Sequence, residues 1–231
     1  MSTSRFRLLV VVCSLLLSAI FFLPVSVKAE GGAPAGAMAS LRQTIEQVID
    51  ILKDPQYSTP ERRVARRDAV KKLIYKQFNF HLMARGAVGP RWKEYAPPQQ
   101  ERFGELFKRV LEDAYLAKIE GYQGEKVGFN KEVAESPTIT RVESVVHAKG
   151  QEYAMHYRLT PGKDGRWEVF DVIIEGVSLV NNYRSQFQPI LSKDGPAGLL
   201  AKMESKFGST EGSAASAASG LAESATGKQG P

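Results

Sequence analysis

The sequence predicts an α+β domain, a curved antiparallel four-stranded sheet packed by helices that precede and follow it. Three observations predict it. Apolar residues recur at steps of three and four from Leu41 to Ile119, the period falls to two between Lys126 and Glu175, and the helical period returns after Ser178.

The helices come first. Ser40 followed by Gln43 fits a capping box, and Leu41, Ile45, Val48, Ile49 and Leu52 form one stripe that Asp54-Pro55 stops. Thr59-Pro60-Glu61 opens a second helix with Val64, Val70, Leu73, Ile74 and Phe78 as its apolar face. Its other face carries Arg62, Arg63, Arg66, Arg67, Lys71, Lys72 and Lys76, which reads either as a solvated surface or as a contact for an acidic protein or anionic head groups. Gly86 and Gly89-Pro90 punctuate a link to a short turn at Arg91-Trp92-Lys93-Glu94-Tyr95. Pro97-Pro98 then opens the longest helix, with Phe103, Leu106, Phe107, Val110, Leu111, Ala114, Tyr115 and Ile119 inward and Gly121 as its stop.

Four strands follow, near 126–134, 138–148, 152–159 and 166–175, separated by Ser136-Pro137, Lys149-Gly150 and Pro161-Gly162-Lys163-Asp164-Gly165. In the third, Tyr153, Met155, Tyr157 and Leu159 alternate with Ala154, His156 and Arg158, which gives it one inward face. The fourth is apolar on both faces and reads as central. Turns this short make a meander. Ser178 then caps a helix over 179–191, and Pro196 begins a last one that ends near Phe207.

Outside this domain, 40–207, the chain changes character. Arg5 and Arg7, the uncharged run Leu8 to Leu23, Pro24 and the site Val27-Lys28-Ala29 read as a signal peptide over 1–29. The competing reading is an uncleaved anchor, because the run approaches the length of about 20 residues that spans a bilayer. Residues 30–39 read as a flexible leader, and the Ser/Ala/Gly-rich 208–231 as a disordered tail that buries too little to offset chain entropy.

Composition excludes several chemistries. The formal charge is +6; without Arg5, Arg7 and Lys28, 28 basic against 25 acidic residues leave +3, with no dense basic stripe interleaved with aromatics, so nucleic acid is not an expected partner. Cys13, the only cysteine, lies inside the apolar run, so the exported chain has no disulfide and no thiolate site. His81, His147 and His156 lack metal-ligand spacing, and no nucleophile elbow, phosphate loop or dinucleotide fingerprint occurs. No metal or cofactor is therefore expected. Asp171, set in an apolar strand, is the one candidate for a pocket acid, but it alternates with Phe170 and Val172 and is expected to point away from what they line. Large apolar side chains remain in surplus: Phe107, Val110, Tyr115 and Ile119 would meet Tyr153, Met155, Tyr157, Phe170, Val172 and Ile174, in a filled core or around a cavity.

The stretch from Phe170-Asp171-Val172 through Glu175-Gly176-Val177-Ser178 to Asn181-Asn182-Tyr183-Arg184 closely resembles the signature of the MlaC, or toluene-tolerance auxiliary, family. Phe78-Asn79-Phe80 with Met83-Ala84 is similar to that family's F-D-F and M-A pattern, with Asn79 in place of the acid. Trp92, Pro98-Gln99-Gln100, Phe103, Phe107, Tyr115 and Tyr122 follow its middle helix, and Gly195-Pro196 with Gly198-Leu199-Leu200 its last. The resemblance covers about 40–207. It implies a periplasmic carrier, not an enzyme, holding phospholipid acyl chains in an apolar pocket and passing them between an outer-membrane lipoprotein/porin complex and an inner-membrane ABC transporter complex. A hopanoid is the rival ligand, and a pocket enzyme using Asp171 or a structural adaptor are the rival classes. On this reading Phe107, Val110, Tyr115, Ile119, Met155, Tyr157, Val172 and Ile174 form the lipid-facing wall, and Arg62, Arg63, Arg66 and Arg67 dock a partner. The sequence leaves Asn79 as a helix cap or a hydrogen-bonding group.

Overall fold

The computed structural model describes residues 36–208, so the expected signal, most of the leader and all but the first residue of the tail lie outside the described residues. Among the described residues, five α-helices and five strands make up the fold. Helix α1 (Ala37–Lys53) begins three residues before Ser40; Gly36 occupies its N-cap position with no side-chain bond, so the Ser40/Gln43 capping box does not form. The reason is burial: Ala37 is fully enclosed in the core, which draws the helix into the expected leader. Two single turns, Pro55–Tyr57 and Pro60–Arg62, lead into α2 (Arg63–Gln77). Val64, expected on its apolar face, is 68% exposed. The helix meets the core only further along, where Val70 is fully buried.

Phe78 bridges to Val169, and the Asn79 N–H donates to the Val169 carbonyl at 2.8 Å. A helix then forms where the sequence predicts a link: α3 (Phe80–Val88), in which Met83, Ala84, Ala87 and Val88 are buried. Gly86 sits inside it because a β-carbon there would lie 2.7 Å from Val180 Cγ1, so close packing, not a turn, explains that glycine. A six-residue turn, Gly89–Glu94, buries Trp92 and leads to α4 (Pro97–Glu120).

The sheet is a meander ordered β1 (Lys126–Ser136), β2 (Ile139–Ala148), β3 (Gln151–Pro161), β4 (Trp167–Ile174) and β5 (Val177–Ser178), all antiparallel. The two-residue β5 adds to the four expected strands. Lys149-Gly150 (φ 50° and 77°) and Glu175-Gly176 (φ 49° and 80°) are both left-handed, the backbone that two-residue hairpins require. Register shifts between Phe129 and Lys131, and opposite Arg158/Leu159, bend the strands. Helix α5 (Leu179–Phe207) is broken at Gly195 (φ 69°) just before Pro196, where two helices are expected.

Trp92, Tyr95, Phe103, Phe107, Tyr183 and Phe187 pack edge to face or tilted with ring centroids 5.1–6.0 Å apart. They fuse the first half of α4, the turn before it and α5 into one solid block.

Candidate functional site: an apolar cavity between the helices and the sheet

Beyond that block the second half of α4 borders a cavity of about 640 Å³. Helix α1 contributes Ile45, Val48, Ile49 and Leu52; α2 and the residue after it contribute Ile74, Tyr75 and Phe78; α3 contributes Phe80 and Met83; α4 contributes Leu111, Tyr115, Leu116 and Ile119. Val127, Val146, Met155, Tyr157, Val172 and Ile174 form the sheet side, and Leu179 closes the start of α5. Lys71, Glu112, Lys118, Tyr122 and Glu125 add polar groups to this wall.

Most of these polar groups are committed to partners. The Tyr75 hydroxyl donates to Glu112, whose other oxygen lies 3.0 Å from Lys71 Nζ. Burial first, then that carboxylate, pushes the Tyr75 hydroxyl far above the usual phenol range. Burial does the same to Tyr157, whose hydroxyl meets Met155 Sδ at 3.0 Å, and raises Tyr115. The phenols of Tyr75, Tyr115 and Tyr157 are therefore neutral at physiological pH. The Thr44 hydroxyl donates to Gln77 Oε1 at 2.7 Å, leaving its methyl for the cavity. The inner surface thus suits hydrocarbon, with ionic groups confined to the α2–α4 side and to the ends of α4 and β1.

Of the eight residues expected on the wall, Tyr115, Ile119, Met155, Tyr157, Val172 and Ile174 line the cavity. Phe107 and Val110 do not. Both are buried, Phe107 in the solid block against Tyr183 and Phe187, so the expected wall begins one turn before the cavity does on α4. Tyr153 shares the inward face of β3 but sits beside the Lys149-Gly150 hairpin, 38% exposed, and Phe170 lies 5.7 Å from the Arg158 guanidinium, outside the cavity. The α1 stripe and the paired phenylalanines around Asn79 were legible as apolar, but no local signal says that they face a space and not a partner.

Asp171 is buried, accepting from Ser178 Oγ at 2.7 Å and from the Val180 N–H at 3.1 Å, which makes it a cap for α5 turned away from the cavity. Asn79 has two tasks. Its Oδ1 accepts from the Leu82 N–H at 2.8 Å and caps α3, while its Nδ2 donates to Glu168 at 2.6 Å. At the start of α2 and in the turn before it, Arg62, Arg63 and Arg67 are exposed and Arg66 half-buried; Arg67 forks onto Glu120 at 3.0 and 2.7 Å.

The family model described as "MlaC protein" matches residues 42–205, from the first turns of α1 to the end of α5. The chain belongs to the MlaC family. Within it, the intermembrane phospholipid transport system binding protein MlaC of Haemophilus influenzae is 25% identical over 158 residues, 67% of this chain and 70% of that protein. A solved structure of the phospholipid-binding protein from Ralstonia solanacearum, in complex with a phospholipid, is 26% identical with a TM-score of 0.65, covering 75% of this chain and 98% of its own. The MlaC match takes in every helix and strand that borders the cavity. The amide of Asn79 both caps α3 and supplies a donor to Glu168 that an ionised acid at this position would lack.

Proposed function

We propose that this protein binds a phospholipid by its acyl chains in the cavity and carries it through the periplasm, between an outer-membrane lipoprotein/porin complex and an inner-membrane ABC transporter complex. The observation that carries this reading is a volume of about 640 Å³ walled mainly by aliphatic and aromatic side chains from five helices and the sheet. Ligand sites of this kind fall between about 300 and 1,000 Å³. Each methylene taken from water contributes about 0.8 kcal/mol, so acyl chains leave a bilayer only for a container of comparable polarity. The relatives named for phospholipid binding and intermembrane transport support the same ligand class. The role is carriage without turnover, since Asp171 is committed to a helix cap. Export and removal of residues 1–29 belong to the proposal, as does a periplasmic location. Among the described residues no helix is long and apolar enough to cross a membrane.

Native mass spectrometry of protein purified from its own host, followed by lipid extraction, tests the reading. It expects a bound mass that extracts as a two-chain phospholipid; a polycyclic terpenoid instead would assign the hopanoid alternative, and a protein without lipid would overturn carriage.

A further inference from the structure

Among the described residues, three side-chain pairs supply the hydrogen bonds and ion pairs that join α2 to α4: Arg67 with Glu120, Lys71 with Glu112 and Tyr75 with Glu112. Lys71, Tyr75 and Glu112 lie on the cavity wall itself, and Glu120 follows Lys118 and Ile119, which also line it. These pairs therefore strap one wall of the cavity to another. The outermost strap is shared with a basic surface. Arg62 and Arg63 are exposed and make no ion pair among the described residues, and Arg66 Nε is buried with no hydrogen-bond partner. An unpaired buried donor of this kind is costly, so the Arg66 guanidinium gains by turning outward to an incoming acceptor. Val64 stands beside them, 68% exposed.

Resting on the carrier reading above, we infer that the arginine face of α2 docks a carboxylate-rich segment of a partner protein, and that the docked carboxylates compete with Glu120 for Arg67, releasing the strap over the cavity. Charge complementarity sets the partner's sign, and the structure sets its chemistry. Arg67 already holds a carboxylate through two parallel hydrogen bonds, so a second carboxylate competes on equal geometric terms. A membrane surface fits less well, because helices that lie on bilayers present a band of Trp, Phe or Leu beside their cations. Here Val64 is the single large apolar side chain exposed on α2. Docking and unloading thereby become one event at one residue, and cargo stays enclosed until a partner arrives.

The test uses the full protein loaded with a pyrene-labelled phospholipid, a fluorescein-labelled polyglutamate peptide, and phosphatidylcholine vesicles as acceptor. Peptide binding is read by fluorescence anisotropy and lipid release by pyrene emission. The peptide is expected to bind the parent at low salt and to accelerate release. Arg63→Gln with Arg66→Gln should lose both effects. Glu120→Gln should raise release without peptide by roughly two- to fivefold, the worth of one partly exposed ion pair, and should gain little more from peptide. Equal peptide binding by the double variant and the parent would overturn the docking face. Binding without acceleration, or the same acceleration of Glu120→Gln as of the parent, would overturn the competition. Phosphatidylglycerol vesicles that accelerate release where the peptide does not bind would give the surface to membranes instead. A parent that takes up no labelled lipid would defeat the carrier reading, while anisotropy would still decide the docking.

Discussion

The two halves of α4 carry the same apolar rhythm and meet opposite surroundings. Phe103, Leu106 and Phe107 are fully buried in aromatic packing with α5 and the turn before the helix, whereas Leu111, Tyr115, Leu116 and Ile119 border the cavity. What differs lies across from them. The first half faces Tyr183 and Phe187, whose rings fill the space; the second faces aliphatic α1 and a bulged sheet. A helix stripe therefore encodes that a face is apolar, and its neighbours decide whether the face meets protein or a cavity.

Charges introduced on either side of this boundary break the comparison most sharply. Val110→Lys places an ion in close packing with no room for a counter-charge, a cost of several kcal/mol in a domain whose total stability is of order 5–15 kcal/mol; it should prevent folding, read as loss of the cooperative thermal transition. Met155→Lys places the same group on the cavity wall, where the chain should fold and the bound phospholipid should disappear from native mass spectra. If Met155→Lys keeps its lipid, the ligand lies elsewhere.

Truncation repeats the contrast more gently. Phe107→Ala should cost about 3–5 kcal/mol in urea unfolding, since the rings of Tyr183 and Phe187 cannot close over the gap. Ile119→Ala should cost about 1 kcal/mol or less, because a side chain that already borders a cavity leaves fewer packed neighbours behind. Equal costs at the two positions would mean that the second half of α4 is packed as tightly as the first.

Much of the architecture was legible because period and punctuation are local properties. The change from helix to strand after α4, the return to helix at Ser178, the Lys149-Gly150 hairpin and the break before Pro196 stand where turn chemistry places them. What escaped reading depends on distant residues. α3 looked like a link because Gly86 reads as a breaker until Val180 is brought against it. Val64 looked inward because α2 departs from the core over its first turn, which no i, i+3 pattern records. The cavity was hidden for the same reason: an apolar side chain against protein and one against a space are the same letter. The family's motif therefore carried more about the site than periodicity did.

The F-D-F position offers a smaller perturbation. Asn79→Asp keeps the cap on Leu82 but turns a donor to Glu168 into a second acceptor carrying charge. A loss of about 1–2 kcal/mol is expected at neutral pH, with recovery when Glu168→Gln is added to restore a donor. A double variant no more stable than Asn79→Asp would show that the 2.6 Å contact contributes nothing.

The smallest effect belongs to the strap between α2 and α4, and its sign follows from Glu120. Hydrogen bonds from Arg67 hold this carboxyl below the ordinary carboxylate range, and the charges of Arg67, Arg66 and Arg63 add to them, against a smaller opposing push from burial. A carboxylate whose folded value lies below its unfolded one contributes in full above the unfolded value of about 4.3, and loses the contribution as pH falls through the folded one. The tie is thus intact across the neutral range and opens only as pH falls below the ordinary carboxylate range. Because Arg67 is half exposed, solvent screening limits the contribution to a few tenths of a kcal/mol up to about 1 kcal/mol. Lipid release followed against pH should therefore be slower in the parent than in Glu120→Gln at pH 7, stay flat down to mild acid, and converge with the variant below the ordinary carboxylate range. Convergence near neutral pH would assign the closing of this wall to a different group.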